Sequence, residues 1–131
     1  MSYLWIFIGG GLGSIARFAA SGLVARLVGE TFPWGTILVN VTGSFLIGFI
    51  ATLTGTEGRW LVSPSAREFV MIGVLGGYTT FSSFSLETLT LARDGEWLHA
   101  GVNVVVSVIL CLAAVWLGHL VAVSLNSTKG L

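Results

Sequence analysis

The chain has 131 residues, of which 54% are hydrophobic and 9% charged, and its formal net charge is zero. A soluble domain carries about 25% charged residues, so this balance excludes an ordinary soluble globule. The zero net charge leaves no footprint for nucleic acid or for a polybasic membrane patch. The single cysteine, Cys111, excludes an intrachain disulfide framework.

In chain order, the apolar runs predict four spans, each near the ~20 residues that cross a bilayer. The first covers about residues 3–28. It starts without a basic n-region and continues past Arg17, which reads as a retained span rather than a cleaved signal. The second, about 34–54, follows Phe32-Pro33-Trp34. Pro33 suits a helix start, where a missing N–H goes unnoticed. The third covers about 65–93 after Pro64 and is expected to be interrupted at Gly76-Gly77. The fourth covers about 97–125. The spans consume the chain, so residues 1–131 read as a single transmembrane domain. Trp5, Trp34, Trp60 and Trp97 all fall near span ends, as in an interfacial aromatic belt.

Four spans place both termini on one side with Arg59, Arg67 and Lys129, and leave Arg26 and Arg93 on the other. So even a division gives almost no positive-inside bias. Orientation is then poorly specified, and an antiparallel dimer of oppositely inserted copies becomes accessible. Small residues recur at four-residue spacing: Gly9 with Gly13, Ser44 with Gly48, Gly73 with Gly77, Ala114 with Gly118. They read as close helix packing. The glycine run at 9–13 does not match G-x-G-x-x-G, because Ser14 takes the last position, and no strand precedes it.

Residues 73–85 (GVLGGYTTFSSFS) carry the chemistry. Glycines and β-branched threonines weaken a helix at this point. Freed carbonyls at membrane depth need a partner, either a bound cation or neighbouring threonine hydroxyls. Phe81 and Phe84 share a face of a helix that resumes after the break. Among Thr80, Ser82, Ser83 and Ser85, their partly positive ring edges suit a small anion; packing in the core or against lipid is the plainer role. Asn40, in the second span, either hydrogen-bonds another helix or lines a pore. His99, Asn103, Ser107 and Cys111 recur every four residues, as a permeation track or a hydrogen-bonded seam. Arg17 lies inside the first span, as a source of positive potential for an anion vestibule or as an ion pair with Glu87; the two are compatible. His99 and His119 lack the company of a metal site. No nucleophile-base set, paired carboxylate or phosphate loop is present, which argues against an enzyme.

These motifs together resemble the Fluc fluoride channels, the CrcB-type family of small microbial membrane proteins. The matching elements are Gly10-Gly11-x-Gly13-x-x-x-Arg17, Gly35-Thr36-x-x-Val39-Asn40-x-x-Gly43 and the run from Gly76 to Glu87. The resemblance covers essentially the whole chain. It implies an antiparallel, dual-topology homodimer in the cell inner membrane, with two fluoride pathways. It implies that Phe81 and Phe84 meet fluoride with ring edges and that Asn40 lines the pore. Thr80, Ser82 and Ser83 supply hydroxyls, and Asn103, Ser107 and His99 form a polar track. It also implies that Gly76 and Thr79 hold a structural Na⁺ through backbone carbonyls at the dimer axis, and that Arg17 stands near the vestibule. Tyr78 departs from the smaller or purely apolar residues frequent after the glycine pair, and Ser83 replaces a common threonine.

The runner-up is a small dual-topology, proton-coupled multidrug exporter. It needs a buried carboxylate for coupling; the first span has none, and of the two within the third span Glu68 stands near its start, leaving Glu87. A noncatalytic membrane scaffold would explain the small residues but not the Thr/Ser/Phe cluster.

Overall fold

A computed structural model describes residues 1–128. The described residues fold into helices only: α1 (Ser2–Val28), α2 (Trp34–Leu53), α3 (residues 64–78), α4 (Phe81–Arg93) and α5 (Trp97–Ser127). Helices α3 and α4 together make the third of four segments long and apolar enough to cross a membrane; the others are α1, α2 and α5. The 31 residues of α5 measure about 46 Å at 1.5 Å per residue.

Local chemistry sets the helix ends. Gly29 closes α1 at φ 86°, donating its N–H to the Ala25 carbonyl. Gly95 turns the chain between α4 and α5 at φ 82°. Both sit in the left-handed region, where a side chain would be strained. Ser63 caps α3 by accepting the Ala66 N–H at 3.1 Å, with Pro64 in the first helical position. Two arginines finish helix C-termini at the end of the bundle shared by the 54–63 loop. Arg67 donates to the Thr54 hydroxyl and the Ala51 carbonyl, at the end of α2. Arg59 donates to the Leu125 carbonyl and the Thr128 hydroxyl, at the end of α5. Cations there complement the negative helix terminus. Lys129, expected beside them, lies outside the described residues.

Packing follows the small residues. Helix α2 packs most extensively on α5, and α1 on α3. A Cβ on Gly48 would run into the Val115 carbonyl, and one on Gly118 into the Phe45 carbonyl, so α2 and α5 meet backbone to backbone. On α1, a Cβ on Gly9 would lie 2.6 Å from the Phe69 oxygen, and one on Gly13 would run into the Val74 oxygen. That stretch of α3, Glu68–Val74, is a π-helix, with the Leu75 N–H reaching back to Val70. Nothing in the amino-acid pattern foretold this widened turn.

The interruption falls later than expected. Gly76 and Gly77 are still helical, in Leu75–Tyr78. The extended residues are Thr79 (φ −85°, ψ 157°) and Thr80 (φ −152°, ψ 112°). Glycine lowers helix propensity by about 1 kcal/mol without forbidding a helix. The break instead stands where neighbouring groups seize the backbone.

Candidate binding groove at the helix break

The seizing group is Asn40. Its Oδ1 accepts the Thr80 N–H at 2.7 Å, and its Nδ2 donates to the Thr80 carbonyl at 3.0 Å. One side-chain amide thus pairs with both backbone groups of one residue, the N–H of the 79–80 peptide and the carbonyl of the 80–81 peptide. In an unbroken helix the Thr80 N–H would point to the Gly76 carbonyl. The Ser83 N–H, which would point to the Thr79 carbonyl, goes instead to Thr80 Oγ1 at 3.1 Å. Thr80 therefore acts as the N-cap that restarts the chain as α4. Gly76 and Thr79 both lose their ordinary helical donors through these two diversions.

Arg17 serves the same break from α1. Its Nε donates to the Gly77 carbonyl at 3.0 Å. Among the described residues it makes no ion pair with Glu87, so the expected Arg17–Glu87 pair is absent. Glu87 Oε1 accepts instead from the Thr36 hydroxyl at 2.6 Å, while Oε2 is buried with no hydrogen-bond partner. Thr36 opens α2 near this carboxylate, whereas Arg17 is already committed at the break.

Beside the break lies a groove of about 390 Å³. Asn40, Thr79, Thr80, Phe81 and Phe84 line one part of it, and Ser107 and Cys111 of α5 line another. Gly43, Ser44 and Ile47 of α2, with Gly76 and Leu75, complete much of the wall. No charged residue lines the groove. The Phe81 and Phe84 rings stand 5.3 Å apart, tilted by 54°. Phe84 is 8% exposed, whereas Phe81 is 76% exposed and leaves the chain's own bundle. Thr80 Oγ1 donates to Ser83 Oγ at 3.1 Å and lies 3.3 Å from Ser82 Oγ, so these hydroxyls form one cluster. Ser82 and Ser83 belong to that cluster but do not line the groove.

The α5 stripe divides in two. Asn103 is 1% exposed; it donates to Thr88 Oγ1 at 2.9 Å and accepts from Ser107 Oγ at 3.3 Å. These bonds make it a buried seam between α4 and α5. Ser107 and Cys111 reach the groove. His99 does not. It is exposed, with Nδ1 2.7 Å from Glu96 Oε2 and its ring 6.1 Å from that of Phe32. A four-residue step overshoots one turn by about 40°, so His99 and Cys111 differ by about 120° around the helix. Thr88 went unremarked in the sequence, although it follows Phe84 by four residues on the same face of α4. Ser44, taken there for a packing residue, lines the groove.

Four membrane-length helices, the third parted around an amide-gripped residue beside an uncharged, largely apolar groove, define a small multi-pass membrane protein. The chain belongs to the CrcB family: residues 4–119 match the family described as "CrcB-like protein, Camphor Resistance (CrcB)". Among its relatives is a protein of Opitutus terrae named "Fluoride-specific ion channel FluC", 69% identical over 98% of this chain and 97% of its own length. Proteins with the same name from Methylocella silvestris and Rhodospirillum rubrum are 62% and 56% identical. The first covers 99% of each chain, the second 96% of this chain and 98% of its own.

Proposed function

We propose that this protein is a fluoride-selective ion channel that exports fluoride passively across the cell inner membrane and so confers fluoride resistance. The observation that carries this reading is the uncharged groove at the break, lined by the Asn40 amide, the Thr79, Thr80 and Ser107 hydroxyls and the Phe81 and Phe84 rings. Fluoride is small and strongly hydrated, so shedding water requires replacement donors. An amide NH₂ has two. One of Asn40's goes to Thr80, and the second has no acceptor among the described residues. The Ser107 and Thr80 hydroxyls, which now donate to Asn103 Oδ1 and Ser83 Oγ, could turn to the ion, and Phe81 and Phe84 would offer partly positive edges. A lining without Lys or Arg avoids trapping the ion, since conduction needs binding that is adequate but escapable. The negative-inside potential drives the anion outward with no coupled step. The family relationship and the names of the relatives favour this reading over a proton-coupled exporter.

The working unit is an antiparallel homodimer. The groove is open, Phe81 is largely exposed, and a Cβ on Gly10 or Gly11 would meet nothing within 4 Å. A second copy would supply the missing wall. The carbonyls of Gly76 and Thr79, freed as described, fit a structural Na⁺, because oxygen donors suit a hard cation. Bound there, the ion would neutralise carbonyl dipoles gathered from two copies.

Reconstitution in liposomes tests the function, with fluoride followed by an ion-selective electrode after adding a potassium ionophore. Fast fluoride release with negligible chloride release is expected. Release only under an imposed proton gradient would indicate coupled export, and no release under either condition a scaffold.

A further inference from the structure

We infer that the Tyr78 hydroxyl is a positioning group for the helix break, acting through Thr42 of α2. Tyr78 is the last helical residue before the two extended ones. Its hydroxyl lies 2.9 Å from Thr42 Oγ1. Thr42 has a single hydroxyl proton, and its Oγ1 lies 2.8 Å from the Leu38 carbonyl one turn back. With that proton given to Leu38, Thr42 accepts and Tyr78 donates. The bond therefore has a fixed sense: the tyrosine hangs on the helix.

The same stretch of α2 holds every residue of the break. Asn40 pairs with the N–H and the carbonyl of Thr80. Gly43 offers no side chain, and a Cβ there would run into the Thr79 methyl and lie 3.2 Å from the Tyr78 ring. Thr42 takes the Tyr78 hydroxyl. Three positions within one turn of α2 thus fix three successive residues, 78, 79 and 80. Thr79 sits between the two anchors; its N–H and its hydroxyl both reach back to the Leu75 carbonyl, at 3.1 and 3.0 Å, and α2 meets it only through the Gly43 contact with its methyl. Its carbonyl direction is set by holding both flanks. With Tyr78 released, Asn40 makes the one remaining hydrogen-bonded contact from α2 to this turn among the described residues, and the groove wall that Thr79 and Thr80 provide is held less firmly against α2. The Tyr78 hydroxyl thereby has a role that phenylalanine would not fill.

The effect on transport rests on the channel reading above; the effect on the backbone does not. Tyr78→Phe, Thr42→Val and the double variant are compared in liposome fluoride efflux and in hydrogen exchange of the Thr80 amide. Loss of one net hydrogen bond should speed Thr80 exchange and slow efflux about fivefold. The double variant should be no worse than either single one, because both remove the same bond. Thr42→Ser keeps the acceptor and should match the unaltered protein in both readouts. Wild-type values in Tyr78→Phe overturn the inference, as do multiplying effects in the double variant or losses in Thr42→Ser. A merely structural role would lower the melting temperature without singling out the Thr80 amide, and that pattern also overturns it. If the unaltered protein moves no fluoride, the channel reading fails, while Thr80 exchange still decides the tyrosine's role. Should Tyr78→Phe not fold, the contrast between Thr42→Val and Thr42→Ser gives the same decision.

Discussion

Replacing Asn40 with alanine removes both bonds that hold Thr80 out of the helix. The Thr80 carbonyl keeps the helical donor an N-cap carbonyl normally has, so the main loss falls on the N–H. An unsatisfied N–H away from water costs about 1–3 kcal/mol, and the lost bond to the carbonyl adds about 1 kcal/mol. The chain can escape most of this by rewinding, with the Thr80 N–H returning to the Gly76 carbonyl. A bias of about 2–4 kcal/mol toward the rewound form lowers the population of the broken form about 30-fold to several-hundred-fold. Fluoride efflux from liposomes should fall accordingly, while the protein still purifies as a folded species. Asn40→Asp keeps an acceptor for the N–H but sets a carboxylate against the Thr80 carbonyl, so it should not rescue transport. Efflux at the unaltered rate from folded Asn40→Ala protein would refute the reasoning.

Other consequences are equally open to measurement. Phe81→Ile and Phe84→Ile each remove a ring from the groove; with ring contacts worth about 0.5–1.5 kcal/mol, each should slow efflux about threefold to tenfold in a folded protein. Undiminished transport in both would sink their assigned role. Cys111, the sole cysteine, lines the groove, so a methanethiosulfonate reagent should block efflux, and Cys111→Ser should be immune to the block. Gly13→Ala drives a Cβ into the Val74 carbonyl and should destabilise the fold by about 1–3 kcal/mol, read as a lower melting temperature in detergent. Gly22→Ala meets nothing within 4 Å and should not lower it.

What could be read from the amino acids alone follows a physical division. The spans were legible because apolar runs near 20 residues, with Pro33 and Pro64 marking starts, are local signals. The chemical character of residues 73–85 was legible for the same reason: hydroxyls and glycines stand out in an apolar run. The location of the break was not. Intrinsic propensity pointed to Gly76-Gly77, but a tertiary bond from Asn40 places it at Thr79-Thr80. Nor could sequence spacing choose between Glu87 and the Gly77 carbonyl as the partner of Arg17; only the packing of α1 on α3 decides it. The four-residue stripe on α5 looked like one face. Its slow rotation carries His99 away from the groove that Ser107 and Cys111 reach.

The most direct test of the central claim, that an uncharged groove beside a parted helix conducts fluoride, is paired anion efflux from one batch of proteoliposomes. Purified protein, loaded vesicles and a potassium ionophore suffice. Rapid fluoride release, with chloride retained and no proton gradient imposed, is the predicted result. Equal release of both anions, or fluoride release only when a proton gradient is applied, would contradict it.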